Sequence, residues 1–200
     1  ATASVGSTLN DINWFLAEGC TAGGMETWVL VQNPYASNTT VNLTLMTDGG
    51  ELKPPGLQNV TLPPHSRKSF NLGDYVTSYN VSTMVQSLNN GVVCERAMYG
   101  PGRRWATASV GTSMPAADWY LAEGCTRAGF EEWICLMNPG EEEANVVLRF
   151  MLEDTSERLH NALVPPNTRV TVKVNDVVGP EHDVACEVMS DRPVVVERAA

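Results

Sequence analysis

Residues 1–34 return as residues 106–139 without a gap, and 18 of the 34 positions are identical. The shared positions open with ATASVG at 1–6 and 106–111. They continue through Trp14 and Leu16-Ala17-Glu18-Gly19-Cys20-Thr21 against Trp119 and Leu121-Ala122-Glu123-Gly124-Cys125-Thr126, and end with Trp28, Asn33 and Pro34 against Trp133, Asn138 and Pro139. After a three-residue shortening of the second copy, Pro63-Pro64 and Arg67 match Pro165-Pro166 and Arg169. Farther on, Val92-Val93-Cys94-Glu95-Arg96-Ala97 matches Val194-Val195-Val196-Glu197-Arg198-Ala199. A duplicated unit of about 100 residues can bury its own core and is too long for a solenoid repeat or a propeller blade. The sequence therefore divides into two similar domains, residues 1–105 and 106–200.

Within each copy the apolar residues alternate with period two and are rich in Val, Thr, Leu and aromatics, the pattern of half-buried strands. Strands are expected in the first copy at 14–17, 27–32, 40–47, 57–62, 67–72, 82–87 and 92–99, with the same series in the second. Asn-Pro at 33/34 and 138/139, Asp48-Gly49-Gly50, and Pro-Pro at 63/64 and 165/166 punctuate them, because these residues supply turn dihedrals or lack a ladder donor. Asp74 and Asp176 are expected to cap one short helical turn each. About seven short strands per 100 residues, with turn signals every 8 to 12 residues, predict an all-β chain of two tandem immunoglobulin-like (Greek-key) β-sandwich domains.

The junction carries a further expectation. Gly100-Pro101-Gly102-Arg103 reads as a hairpin that returns residues 106–110 to the first sandwich as an added strand. By the same logic residues 1–6 are the last strand of a preceding copy, and the chain is expected to be part of a longer array. A signal peptide or anchor is then expected outside these 200 residues.

Hydrophobic residues make up 43% of the chain, enough apolar surface to offset chain entropy. No apolar run approaches the roughly 18 residues that span a bilayer, so no direct membrane insertion is expected here. The net charge is −10, and Lys53, Lys68 and Lys173 are the only lysines among 13 basic residues. Such a balance offers no clustered positive face for phosphates, and nucleic acid is not expected as a partner. His65, His160 and His182 have no metal-ligand spacing, and no nucleophile elbow, phosphate-cradling loop or His-Glu-x-x-His occurs. No metal, cofactor or catalytic residue is therefore expected.

Two carboxylates recur in both copies, Glu18 with Glu95 and Glu123 with Glu197. Paired carboxylates can hydrolyse glycosides. Here Arg96 and Arg198 follow the second Glu of each pair, and an ordinary Glu-Arg ion pair is the expected role. Trp14, Trp28, Trp119 and Trp133 have the flat faces on which sugars stack, but each lies in an alternating strand, where tryptophan fills or seals a sandwich core. The five cysteines are unequally placed. Cys20 and Cys125 are equivalent, whereas Cys94, Cys135 and Cys186 have no cysteine opposite them in the other copy. With no Cys-x-x-Cys spacing, an exported disulfide protein is favoured over a zinc protein. The expected bridges are Cys20 to Cys94 and Cys135 to Cys186, with Cys125 unbridged; Cys125 to Cys135 is the alternative.

At these motifs the chain resembles a family of tandem modules, of poorly assigned function, found in large secreted and cell-surface bacterial proteins. The residues carrying the resemblance are Trp-(Phe/Tyr)-Leu-Ala-Glu-Gly-Cys-Thr at 14–21 and 119–126, the Asn-Pro strands that contain Trp28 and Trp133, the Pro-Pro stretches followed by Arg67 and Arg169, and the Glu95-Arg96 and Glu197-Arg198 pairs. The resemblance implies an extracellular, β-rich repeat module, often beside adhesion, protease or carbohydrate-active domains. The function expected is a non-catalytic structural or adhesion module, whose partners are a cell-surface protein or glycan and neighbouring repeats of the same chain. The alternative is a carbohydrate-binding module accessory to a secreted enzyme.

Overall fold

The structure, a computed structural model, describes residues 6–200. The chain is all-β and separates into two compact units, Ala1–Met114 and Pro115–Ala200.

In the first unit one sheet is built from β1 (Asn13–Leu16), β7 (Val81–Ser87), β3 (Thr39–Thr47) and β4 (Gly50–Leu52) in that order, with β5 (Val60–Leu62) also on β3. The second sheet has the order β6 (Ser66–Asn71), β2 (Glu26–Asn33), β8 (Val93–Tyr99) and β9 (Ala106–Val110). All pairings are antiparallel. Alternation decides what goes inside. Trp14 and Leu16 of β1, Val41, Leu43 and Leu45 of β3 and Val85 of β7 meet Val29 and Val31 of β2, Phe70 of β6 and Cys94 of β8 in one buried cluster between the sheets. Burial of such side chains stabilises a fold by about 1.5–3 kcal/mol each.

β9 carries out the junction expectation. Its register, Glu95 to Val110, Ala97 to Ala108 and Tyr99 to Ala106, places the opening residues of the second repeat inside the first unit's sheet. The unit boundary consequently falls past the repeat boundary at 105/106.

The second unit contains β10 (Ala116–Leu121), β11 (Trp133–Asn138), β12 (Ala144–Leu152), β13 (Glu157–Val164), β14 (Thr168–Lys173), the short helix α1 (Val174–Val178) and β15 (Val184–Ala199). Its core joins Ile134, Leu136, Leu148, Phe150, Val172, Cys186, Val188 and Val196. β15 departs from expectation, because one continuous strand stands where the first copy has β7 and β8. Its first half pairs with β10 and β12, and its second half with β11. The first copy breaks the strand with Leu88-Asn89-Asn90-Gly91, one residue longer than the corresponding stretch at Asp191-Arg192-Pro193, and rich in turn formers.

The helical turns also differ in detail. In the first copy the 3-10 turn Leu72–Asp74 is capped by Asn71, whose side chain accepts from the Gly73 amide at 3.2 Å, so Asp74 closes the turn rather than capping it. In the second copy Asp176 lies inside α1, and Lys173 occupies the cap position without a side-chain bond.

Candidate functional site

The recurrent side chains fall into two classes, those that pin the fold and those that face outward. The Trp14 indole donates to the Val92 carbonyl at 2.6 Å, and Trp119 repeats the bond to the Val194 carbonyl at 3.0 Å. Asn33 and Asn138 are fully buried. The Asn33 amide donates to the Ser37 and Leu62 carbonyls, and Asn138 repeats this with Glu142 and Val164. Each Asn oxygen accepts the backbone amide two residues on, from Tyr35 and Gly140 respectively. These turns account for the Asn-Pro signature. Trp28 and Trp133 are half-buried. The Trp28 indole donates to Glu26 at 3.2 Å, and the Lys173 ammonium sits 5.0 Å from the centre of the Trp133 ring. Trp105 lies over Gly100, where any Cβ would collide with its ring.

The recurrent carboxylates separate. Glu18 pairs with Arg96, both side chains being 2% exposed, and Glu123 pairs with Arg198 at the surface. Glu95 neighbours Arg96 on β8, and successive strand residues point to opposite faces. Arg96 is therefore directed inward while Glu95 faces out, so the two carboxylates of the first copy do not converge.

Outward, Glu95 meets the other recurrent cation. Leu30, Gln32, Asn33, Pro34, His65, Ser66, Arg67, Val93 and Glu95 line an open groove of about 470 Å³ on the outer face of the four-stranded sheet. The register builds it. Gln32 on β2 is flanked by Arg67 of β6 and Val93 of β8, and Leu30 by Ser69 and Glu95. Arg67 and Glu95 thus lie on a diagonal, two strand spacings across and two residues along, roughly 12 Å between Cα atoms. The groove ends at the turn where His65, held at φ 48, places Nδ1 3.1 Å from the Pro34 carbonyl oxygen. Its equivalent Asn167 has φ 55, so the two copies fill this left-handed position with different tolerant residues. At the matching positions of the second unit, Cys135, Met137, Arg169 and Val195 are buried, and an Arg169 amino group lies 2.9 Å from the Cys135 sulfur. The open groove is a feature of the first unit.

One charged residue escaped the sequence reading. Glu132 occupies the position of Thr27. In the first copy Thr27 is buried and its hydroxyl donates to the Cys20 carbonyl at 2.7 Å while accepting the Cys20 amide at 2.9 Å. Glu132 is 1% exposed, packs under Gly124, and its Oε2 has no hydrogen-bond partner. Burial pushes its carboxyl up to about 7, against the opposing pull of Arg198 and the Cys125 amide and with the Glu123 charge adding to the rise. The signal was the exchange of Thr for Glu at an inward position between the two copies.

The expected disulfides are not formed; all five cysteines are thiols. Cys20 is tied to Thr27, and Thr27 pairs with Met98 on β8. Cys94 lies four residues away along that strand, about 13 Å, where a bridge needs Cα atoms within about 7 Å. Cys186 belongs to the second core, between the same layers as Ile134 and Leu136. Cys135, between those two residues in sequence, points to the other face against Arg169. The alternative bridge from Cys125 to Cys135 is likewise not made. Burial raises the Cys186 thiol to about 12, with the charges of Glu132 and Glu187 adding to it, and burial raises Cys94 as well.

Residues 7–93 match the model of a family of unknown function (DUF5719). No curated protein matches the chain. Among solved structures, the chain is similar to the Anabaena sensory rhodopsin transducer at 24% identity, over 44% of this chain and 100% of that one, with a TM-score of 0.40. It is also similar to Thermotoga maritima 1070 at 23% identity, over 42% of this chain and 78% of that one, again with a TM-score of 0.40.

Proposed function

We propose that this chain is a non-catalytic structural and adhesion module of a larger exported bacterial protein, made of two tandem immunoglobulin-like Greek-key sandwiches. Support for the architecture comes from the first unit, where the chain passes between the two sheets from β2 to β3, β5 to β6, β6 to β7 and β7 to β8, and from one shared core in each unit. The observation that carries the functional reading is the use made of the repeated residues. Trp14, Asn33, Glu18 and Arg96 are consumed in holding the fold, while Arg67 and Glu95 are left facing an open groove. A cation and an anion whose Cα atoms lie about 12 Å apart, on either side of Leu30 and Gln32, suit a polar partner that docks along the strands.

The carbohydrate-binding alternative needs a flat aromatic face open to a sugar ring. Trp14 is 2% exposed, and Trp133 has a lysine over it, which counts against these two recurrent rings as sugar platforms. Protein and glycan arrays probed with the labelled chain test this reading. A protein ligand lost on Arg67→Ala supports it. Polysaccharide binding that survives Arg67→Ala, or turnover of any arrayed substrate, overturns it.

A further inference from the structure

The two copies use one recurrent arginine differently. In the first, Arg96 on β8 is buried against Glu18 of the loop after β1, and the inward position diagonal to it on β2 holds Thr27. In the second, Arg198 on β15 pairs with Glu123 at the surface, their side chains 27% and 69% exposed. The position of Thr27 is now Glu132, which lies diagonal to Arg198 because Trp133 is registered with Ala199 and Ile134 with Arg198. Diagonal neighbours on one face of a sheet have Cα atoms roughly 7–8 Å apart, within the combined reach of an arginine and a glutamate. Glu132 is 1% exposed, and its Oε2 meets no donor among the described residues. One arginine thus stands between two carboxylates, one solvated and one buried.

The groups packed around Glu132 make Arg198 the cation that acts on it. The loop after β10 brings Glu123, whose charge opposes ionisation of Glu132, and the Cys125 amide, which favours it; β15 brings Arg198, which favours it, and the Cys186 thiol, which burial keeps neutral. From the side of β14 and α1, the Asn175 side-chain oxygen accepts the Glu132 amide, Lys173 is paired with Glu131, and Asp176 is exposed. We infer that Arg198 is a pH-controlled latch: while Glu132 is protonated it holds Glu123 and the 122–126 loop, and when Glu132 ionises it turns inward to Glu132 and releases Glu123 to water. The direction follows from the two environments, since a buried carboxylate without a cation is far more costly than a solvated one that has lost a surface ion pair. The inward state is the arrangement the first copy already has, an arginine and a carboxylate both buried. Glu123 lines an open cleft of about 460 Å³ with Glu153 and Asp183, so its release makes that cleft more anionic. This inference is independent of the groove on the first unit.

Carbon-13 and nitrogen-15 NMR of the labelled full chain tests it between about pH 5 and about pH 9. The Arg198 Nε–H resonance is expected to move with the same midpoint as the Glu132 carboxyl, and the Glu123 carboxyl to report that midpoint as a second step. In Glu132→Gln both steps are expected to vanish, with Arg198 keeping its low-pH position throughout. In Glu123→Gln the competing carboxylate is gone, and the Glu132 midpoint is expected to fall by about one pH unit or more. An Arg198 resonance that does not move, one that moves equally in Glu132→Gln, or a Glu132 midpoint unchanged in Glu123→Gln would overturn the inference.

Discussion

Replacing Glu132 by glutamine should stabilise the protein, and only above mildly acidic pH. The carboxyl rises from 4.5 to about 7 in the folded chain, chiefly through burial. The sign follows from linkage. Below the unfolded value both states are protonated and Glu132 exacts no penalty. As pH climbs through the window from 4.5 to about 7 the unfolded chain releases a proton that the folded chain retains, so stability falls; above that window the loss is constant. At about 1.4 kcal/mol per pH unit, the full shift corresponds to a destabilisation of about 3 kcal/mol. Glutamine keeps the shape without the charge. Urea unfolding of wild type and Glu132→Gln at about pH 4 and about pH 8 should give near-equal stabilities at the lower pH and a variant more stable by about 3 kcal/mol at the higher. Carbon-13 titration of the side-chain carboxyl gives an independent value. A difference that does not change with pH, or a Glu132 midpoint in the ordinary glutamate range, would refute the burial argument.

The two repeated ion pairs should respond unequally to the same truncation. Glu18→Ala leaves the 2% exposed Arg96 without its carboxylate and should cost about 3–5 kcal/mol, whereas Glu123→Ala, at a 69% exposed side chain, should cost less than about 1 kcal/mol; equal losses in thermal or urea unfolding would contradict this. Thiol titration in denaturant without reductant should count all five cysteines, and in native buffer the partly exposed Cys20 and Cys125 should react ahead of Cys94, Cys135 and Cys186. A count of three or fewer in denaturant would restore a bridge.

The strands were legible because alternation is a local signal. In β3 the spacing of Val41, Leu43 and Leu45, all inward, fixes face and element together. The junction strand was legible from Gly100-Pro101-Gly102-Arg103, which reads as a hairpin returning residues 106–110 beside β8. Other features depend on context that one strand does not carry. The continuity of β15 rests on a single residue more or less in a turn, and the short β4 holds only three residues beside Leu45, Met46 and Thr47. The cysteine pairing failed for a geometric reason, as loop length says nothing about which face of a strand a thiol occupies. Glu95 and Arg96 show the same limit. The expected Glu-Arg ion pair forms between Glu18 and Arg96, while strand alternation sends the adjacent Glu95 to the groove. The expectation that residues 1–6 close a sheet falls, for residues 1–5, outside the described residues.

The most direct test of the proposed role is binding of the labelled full chain to intact bacterial cells, comparing wild type with Arg67→Ala/Glu95→Gln. Both substitutions are on the outer face and should leave the unfolding midpoint unchanged within the small range usual for surface positions. The account predicts saturable binding by the wild-type chain that falls at least tenfold in the double variant. Undiminished binding by the double variant, or no saturable binding by the wild type, would contradict it.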